Sequence, residues 1–432
     1  MRKLTRPVTL EEKARDFQRK LYIKAKQEKI FRFYSLYDKL YRNDIIEYAW
    51  KQCRANKGSA GVDGLTFKKI ETEIGIENFL AGIQKELRNN TYKAQPVRRV
   101  YLDKPDGSKR PLGIPTIKDR VVQMACLIII IPIFEADFLD CSYGFRPKRS
   151  AHQAIEAIVE NINQGFTAVY DADLTKCFDS IPHQIIIDNL KERIADRKII
   201  NLIKCWLTAP VVEPGGPRQG KKNRQGTPQG GVISPLLANI VLNKLDQHWY
   251  SPGGPREKYN ARLVKYADDF VVLARFIGQP IIDEVEQAIT AIGLSLNEKK
   301  TCQLNLAKGD ALTFLGYSIS LQYGKVKLKP SDKAIKRLRG RIKDIVSRER
   351  LYHGITGIIQ ELNPVLRGWR QYFKLSNIIR WFWNVDFYIT GRFYRIGNKL
   401  SQRHSKTFKP GVYKTLRKMG LYSLAVDYPV NA

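Results

Sequence analysis

The chain has 432 residues, 43% hydrophobic and 27% charged, enough for two or three domains with sizeable cores and unlike a disordered or fibrous chain. Lys and Arg number 74 against 42 acidic residues, a net charge of +32 that calls for a polyanion: nucleic acid first, an anionic membrane surface second. The longest apolar run, residues 124–134, is too short to span a bilayer and contains Pro132. No apolar N-terminal stretch resembles a signal peptide, so a cytoplasmic chain without membrane partners is expected. Six cysteines lie scattered without CxxC or CxxH spacing, which fits reduced thiols and neither a zinc site nor a disulfide framework.

Residues 1–50 read as a basic helical extension, with Phe17, Leu21, Ile30, Phe33, Tyr34 and Leu40 among many cations. "NKGSAGVDG" at 56–64 is a glycine-punctuated loop, and "PVRRVYLDKPDGSKRPLGIPT" reads as a hairpin around a Pro-Asp-Gly turn. A long helix follows from Ile117, with Asp119, Arg120 and Gln123 set among apolar residues. From Phe166 the order is strand, helices over about 183–195 and 199–207, a Gly/Pro/Lys-rich hairpin at 213–226, and the small-residue helix "SPLLANIVLNKLDQHW". The strand pair "LVKYADDFVVLA", a helix, a strand and "ALTFLGYSIS" complete an α+β region whose sheet should be largely antiparallel. Between Lys325 and Arg350, eleven Lys or Arg face three Asp or Glu, while Ile335, Leu338, Ile342 and Ile345 recur at helical spacing. A boundary near 328 and an all-helical basic domain after it are expected.

In "LVKYADDFVVLA" two carboxylates, Asp268 and Asp269, stand side by side between strand-like apolar runs. Like charges ~4 Å apart repel by about 4 kcal/mol at an effective dielectric near 20. Upstream, "VYDADLTKCFDS" alternates so that Asp171 and Asp173 share one strand face and Ala172 takes the other. Three carboxylates converging from two segments would make an oxygen site for Mg²⁺, and a pair of such ions suits phosphoryl transfer. The plainer reading, two solvated turn aspartates, would win if the pair stood alone. It does not stand alone. "GTPQGGVISPLLANI" is a glycine-rich loop feeding a helix, and "SYGFRPKRSAHQAI" sets Arg146, Lys148 and Arg149 beside Tyr143 and Phe145, a mix suited to backbones and bases.

The ordered set "DADLTKCFD", "GTPQGGVISPLLANI", "KYADDFVVL", "LSLNEKKT" and "TFLGYSI" closely resembles reverse transcriptases of the bacterial and organellar group II intron type. "GIPTIKDRVVQMA" and "CSYGFRPKRSAHQAI" resemble that lineage's fingers, "NKGSAGVDG" its N-terminal extension loop, and "LNPVLRGWRQYFKLSN" its maturase or thumb domain. The resemblance spans roughly residues 50–400 in collinear order. It implies a right-hand polymerase, with fingers and an antiparallel palm followed by a helical thumb/maturase domain. The expected division is 1–50 extension, 51–165 fingers, 166–328 palm and 329–432 thumb. No Cys/His pairs follow residue 400, so the HNH endonuclease of some relatives is expected to be missing.

The resemblance assigns Asp173, Asp268, Asp269 and the carbonyl of Leu174 to two Mg²⁺ ions, with Mn²⁺ as a substitute, and makes Asp171 structural. Phe178 takes the place of the sugar gate that excludes a 2′-hydroxyl; the plainer reading is a core residue. Lys104 and Arg110 match the triphosphate-binding pair, Gln229 and Gly230 the nucleotide pocket, and Lys300 the lysine near the leaving pyrophosphate, with Lys299 its neighbouring alternative. Phe314, Leu315 and Gly316 match the primer grip. Lys336, Arg337, Arg339, Arg341 and Lys343, with Arg146, Lys148 and Arg149, would contact nucleic acid. Trp369, Tyr372 and Phe373 read as thumb core rather than base-stacking platforms. Cys177 departs from the bulkier residue usual beside the gate. The implied activity is RNA-directed DNA synthesis in a bacterial cytoplasm, with an RNA template, a DNA or RNA primer, dNTPs and a group II intron RNA as partners; homo-oligomerisation is left open. The alternatives are a maturase whose main role is splicing, a relative repurposed for phage defence or DNA repair, and an RNA-dependent RNA polymerase, which Phe178 speaks against.

Overall fold

The computed structural model describes residues 8–103, 107, 109–216, 221–228, 230–398 and 411–427. The chain divides into two compact units: Met1–Ala154 with Ala172–Val272 and Ile277–Cys302, and Ile155–Asp171 with Leu273–Phe276 and Gln303–Ala432.

The first unit begins with α1 (Leu10–Gln27), α2 (Asn43–Ala55), the short α3 (Phe67–Lys69) and α4 (Ile76–Arg88). Thr9 opens α1 with a capping box to Glu12. Next come the hairpin β1 (Val97–Asp103) and β2 (Lys109–Ile114), paired antiparallel from Arg98↔Ile114 to Asp103↔Lys109, and α5 (Ile117–Glu135). α5 is apolar on nearly every side and correspondingly buried, Pro132 included. Three of its polar residues, Asp119, Arg120 and Gln123, are buried too, and each holds a loop. Asp119 accepts from Tyr92 Oη at 2.5 Å and Gln95 N at 3.1 Å. Arg120 donates to the carbonyls of Pro115 and Ser59, and Gln123 Oε1 accepts from Val232 N at 2.9 Å. Arg98 reaches Ala60 O at 2.8 Å, so the glycine loop at 58–61 is tied to both β1 and α5.

The chain continues through α6 (Ala151–Asn163), β3 (Ala168–Asp173), α7 (Cys177–Ser180), α8 (His183–Lys191), α9 (Arg197–Leu207), β4 (Pro210–Val212) and β5 (Lys221–Lys222). β1 pairs parallel with β4 through Val97↔Val211, so the expectation of antiparallel pairing fails at that strand. Asp196 anchors the N-terminal extension, accepting from the amides of Leu36 at 2.9 Å and Tyr37 at 2.8 Å while capping α9. The small-residue helix α10 (Ser234–Tyr250) is buried along most of its length, followed by α11 (Pro255–Lys258), β6 (Arg262–Tyr266), β7 (Asp269–Ala274), α12 (Gln279–Ala291) and β8 (Cys302–Asn305). One sheet runs in the order β6-β7-β3-β8 and carries all the acidic segments.

The second unit holds the antiparallel meander β9 (Ala311–Phe314), β10 (Tyr317–Gln322) and β11 (Lys325–Pro330). Leu315 and Gly316 turn between β9 and β10 with φ of 47° and 80°, the doubly left-handed turn that tight hairpins favour. Beyond Pro330 the described residues are helical: α13 (Asp332–Ile345), α14 (Gly354–Tyr372), α15 (Arg380–Asn398) and α16 (Val412–Lys418). Ser331 caps α13 by accepting from Ala334 N, and Ile335, Leu338, Ile342 and Ile345 are its buried face, as their spacing requires. Buried Asp386 on α15 accepts from Ser423 Oγ at 2.7 Å, Leu424 N at 3.0 Å and Ala425 N at 3.1 Å, pinning the last described turn.

Candidate active site

Strand β7 buries Phe270, Val271, Val272 and Leu273 completely, which anchors the hairpin; in its turn Ala267 is buried as well and Asp268 half-buried. Ala267 has φ 57°, a left-handed conformation that costs a non-glycine residue about 1–3 kcal/mol and persists only where surroundings enforce it. The surroundings are identifiable. Lys265 N donates to Cys141 O and Tyr143 N to Lys265 O, both at 2.8 Å, so the 141–143 segment runs as a clamp along β6. Gly144 lies against the turn itself: a Cβ there would stand 2.3 Å from Ala267 N. Asn239 Nδ2 on α10 fixes the Gly144 carbonyl at 2.8 Å. Beneath the turn, the Lys265 ammonium is buried against Asp246 at 2.8 Å and Leu242 O at 2.9 Å.

Asp173 ends β3, the strand beside β7. Its Oδ2 accepts from Lys300 Nζ at 3.0 Å and Asn297 Nδ2 at 3.2 Å, and its carbonyl accepts from Asn297 N at 2.7 Å. Leu174 follows as a buried residue bridged to Leu296. Burial first, and then the Asp173 charge, push the Asp268 carboxyl above the ordinary carboxylate range, against its own backbone amide, Arg110 and Lys300. Asp269 is pushed up to about 6 by partial burial, then by Asp268 and Asp173, although its surface opens to solvent. Three carboxylates in one another's field, with too little cationic charge to offset them, are what a bound cation would relieve. Among the described residues no group of three Asp, Glu, His or Cys is already closed around a single metal position. The donors fit a hard divalent cation in chemistry: carboxylate oxygens and a backbone carbonyl, without sulfur or imidazole.

Beside the carboxylates, Lys176 in a left-handed conformation starts the short helix α7, and Phe178 on it is half-buried rather than core. Phe145, 54% exposed, meets Phe178 edge-on at 6.3 Å and Tyr266 at 6.5 Å, so three aromatic rings line this wall. The glycine-rich loop closes over α7: Thr227 N donates to Phe178 O at 2.6 Å and Gly226 N to Ile181 O at 2.8 Å. A Cβ at Gly226 would strike the Asp179 backbone at 2.5 Å, and one at Gly230 the Gly113 carbonyl at 2.5 Å. Those glycines are there for close backbone approach. Cys177 is buried below, its thiol pushed up to about 12 by burial and then by the Asp268 charge, so it packs and does not react.

Residues 102–319 match the reverse transcriptase (RNA-dependent DNA polymerase) family, and residues 335–416 match the group II intron, maturase-specific domain. The chain belongs to the group II intron reverse transcriptases. Protein YkfC of Escherichia coli (strain K12) is 31% identical over 361 residues, 74% of this chain and 93% of YkfC. Group II intron-encoded protein LtrA of Lactococcus lactis subsp. cremoris is 40% identical over 223 residues, 50% of this chain and 35% of LtrA. An uncharacterized 91 kDa protein in the cob intron of Schizosaccharomyces pombe is 36% identical over 211 residues, 49% of this chain and 25% of that protein. The chain thus spans nearly all of YkfC but 35% of LtrA. With its family come the reverse transcriptase fold and an RNA-directed DNA polymerase domain, a kind of enzyme that generally uses divalent metal ions. Among the described residues no helix is long and apolar enough to cross a membrane.

Several other residues expected of this reverse transcriptase can now be placed. Arg110 is exposed on β2 opposite Leu102; Lys104 and Gln229 lie outside the described residues. Arg146 is a correction: its guanidinium is buried, paired with Glu135 at 2.7 Å and donating to Ser142 O at 2.7 Å and to the Leu139 carbonyl, so it braces the fingers segment and presents nothing to nucleic acid. Arg149 pairs with Asp140 and lies over the Tyr143 ring at 5.7 Å, while Lys148 is exposed. Lys336, Arg337, Arg339, Arg341 and Lys343 are all exposed on α13. Phe314 is buried, and the Leu315-Gly316 turn is tied by Tyr372 Oη to Leu315 O at 2.8 Å and Ser331 N to Gly316 O at 2.8 Å. Phe373 is core, with Trp369 at 4.7 Å and Tyr317 at 4.9 Å; Tyr372 is partly exposed but bonded to the turn. Gly144, Asn297 and the Lys265–Asp246 pair were missed as site residues. The only sequence signal was their position inside or beside quoted motifs.

Proposed function

We propose that this protein extends DNA or RNA primers on RNA templates with deoxynucleotides, using two divalent cations, and that its basic helical region binds an intron RNA. The carrying observation is the mutual field of Asp173, Asp268 and Asp269 beside a half-buried phenylalanine. Asp173, Asp268, Asp269 and the Leu174 carbonyl would hold the cations. Once bound, such cations supply electrostatic stabilisation of the attacking and leaving oxygens in phosphoryl transfer. The remaining work falls to the chain's own side chains. Phe178, backed by Phe145 and Tyr266, fills the space beside the sugar that a 2′-hydroxyl would need. Arg110, with Lys104, would orient the triphosphate, and Lys300 would stand near the departing pyrophosphate.

In this reading residues 51–165 are fingers, 166–328 palm and 329–432 thumb, with 1–50 an extension, and the protein works in a bacterial cytoplasm. The maturase role has its own support in the match at 335–416 and the exposed cations of α13.

The test is primer extension on RNA by the full chain with Mg²⁺. Wild type should use dNTPs far faster than rNTPs, and Phe178→Ala should narrow that preference by roughly 10–200-fold, the range a small steric difference commands. Asp268→Asn should abolish extension while RNA binding persists. Equal use of both sugars by wild type would sink the gate, and an active Asp268→Asn variant would remove Asp268 from the site.

A further inference from the structure

Asp173 has two carboxylate oxygens, and both of its side-chain donors fall on the same one. Lys300 Nζ lies 3.0 Å from Oδ2 and Asn297 Nδ2 lies 3.2 Å from it, while Oδ1 has no donor among the described residues. Both donors belong to one turn, which is fastened to the end of β3 at two points and closed on itself by a third hydrogen bond. Asn297 N donates to Asp173 O at 2.7 Å, Thr175 N to Ser295 O at 2.9 Å, and Lys300 N to Asn297 O at 3.0 Å. The turn is therefore built onto the end of β3 and positions the two side chains that address Asp173. The Lys300 side chain itself is 65% exposed on a long stem, so it can swing away without disturbing the fold.

An ammonium and a divalent cation compete for the same lone pairs. We propose that Lys300 is the resident counter-ion of Asp173, which a divalent cation must displace from Oδ2, and that Asn297 is the positioning residue that fixes which oxygen the lysine guards. The inference rests on reading Asp173 as a metal-holding carboxylate. In the cation-free protein Lys300 offsets part of the charge that Asp173 imposes on Asp268 and Asp269. Displaced, it becomes available to an anionic phosphate group, so cation uptake and phosphate binding favour each other.

The experiment is Mn²⁺ titration of the full chain without nucleotide, with free Mn²⁺ read by its electron paramagnetic resonance signal. Lys300→Met should tighten Mn²⁺ binding by about fivefold, the upper end for loss of an exposed ion-pair competitor. Lys300→Arg, which keeps the counter-ion, should stay near wild type. Lys299→Met removes an adjacent exposed charge that does not touch Asp173 and should shift binding by less than about twofold through screened Coulomb effects. Asn297→Ala should weaken the difference between Lys300→Met and wild type, because the guarded oxygen is no longer fixed. Equal shifts in Lys300→Met and Lys299→Met would overturn the counter-ion role. Saturable Mn²⁺ binding unchanged by Asp268→Asn, or absent from wild type, would instead overturn the metal site itself.

Discussion

Gly144→Ala should disable the carboxylate hairpin without altering a carboxylate. The added Cβ would lie 2.3 Å from Ala267 N, 2.8 Å from Tyr266 C and 3.0 Å from Ala267 Cα, all backbone atoms. Non-bonded heavy atoms rest at roughly 3.5–4.0 Å, so about 1 Å of separation must be found. The glycine side cannot yield easily, because Asn239 holds its carbonyl at 2.8 Å and Tyr143 N and Cys141 O bind β6 on the residues just before it. The displacement therefore passes to Ala267, already in a left-handed conformation, and to Asp268 next to it. Overpacking of this kind costs about 1–3 kcal/mol of stability. A shift near 1 Å at reacting groups is worth about 10²-fold in rate. Steady-state primer extension should show kcat lower by about that factor with little change in KM for template-primer, and thermal melting a modest fall. Gly82→Ala, on an α4 face where a Cβ meets nothing within 4 Å, is the control and should leave kcat unaltered. Wild-type kcat and melting in Gly144→Ala would refute the claim that this contact sets the turn.

Three further outcomes are expected. Asp269 is raised from 3.8 to about 6, so between those values the folded chain binds more protons than the unfolded one; stability of the cation-free protein should fall as pH rises through about 4–6, and Asp269→Asn should flatten that part of a melting-versus-pH curve. An unaltered slope in the variant would clear Asp269. Lys265→Met strands the buried Asp246 charge and should cost about 3–5 kcal/mol in urea unfolding, most of it recovered in Lys265→Met/Asp246→Leu; a double variant no better than the single would mean that packing, not charge, matters there. Replacing Lys336, Arg337 and Arg341 by Gln should lower the slope of log Kd for RNA against log salt by about 2, and an unchanged slope would take α13 off the phosphate backbone.

The features legible in sequence are those encoded by neighbours along the chain. Alternation puts Asp171 and Asp173 on the half-buried face of β3 and Ala172 on the buried one. The four apolar residues of α13 recur at 3.6-residue spacing and are all buried; the helix ends at Ile345, and a tighter 3₁₀ turn follows at Arg348–His353. Apolar runs on both sides of Asp268-Asp269 make a hairpin with the carboxylates at its tip. Motif order carried the family.

What the sequence could not settle depends on partners distant along the chain or on solvent access. Arg146 looks like any surface cation in "GFRPKRS" until Glu135 and two carbonyls surround it. β4 joins β1 in parallel because Val211 reaches Val97 across more than a hundred residues, which no local alternation announces. Asn297 acquires a role only because its turn folds back onto Asp173, 124 residues upstream. Sequence alone determined which residues are acidic and which segments are helix or strand, since both follow from local chemistry and periodicity. Tertiary structure alone decided the upward shift of the Asp268 and Asp269 carboxyls, which oxygen of Asp173 is guarded and where Gly144 must lack a Cβ, because fields and contacts act through space.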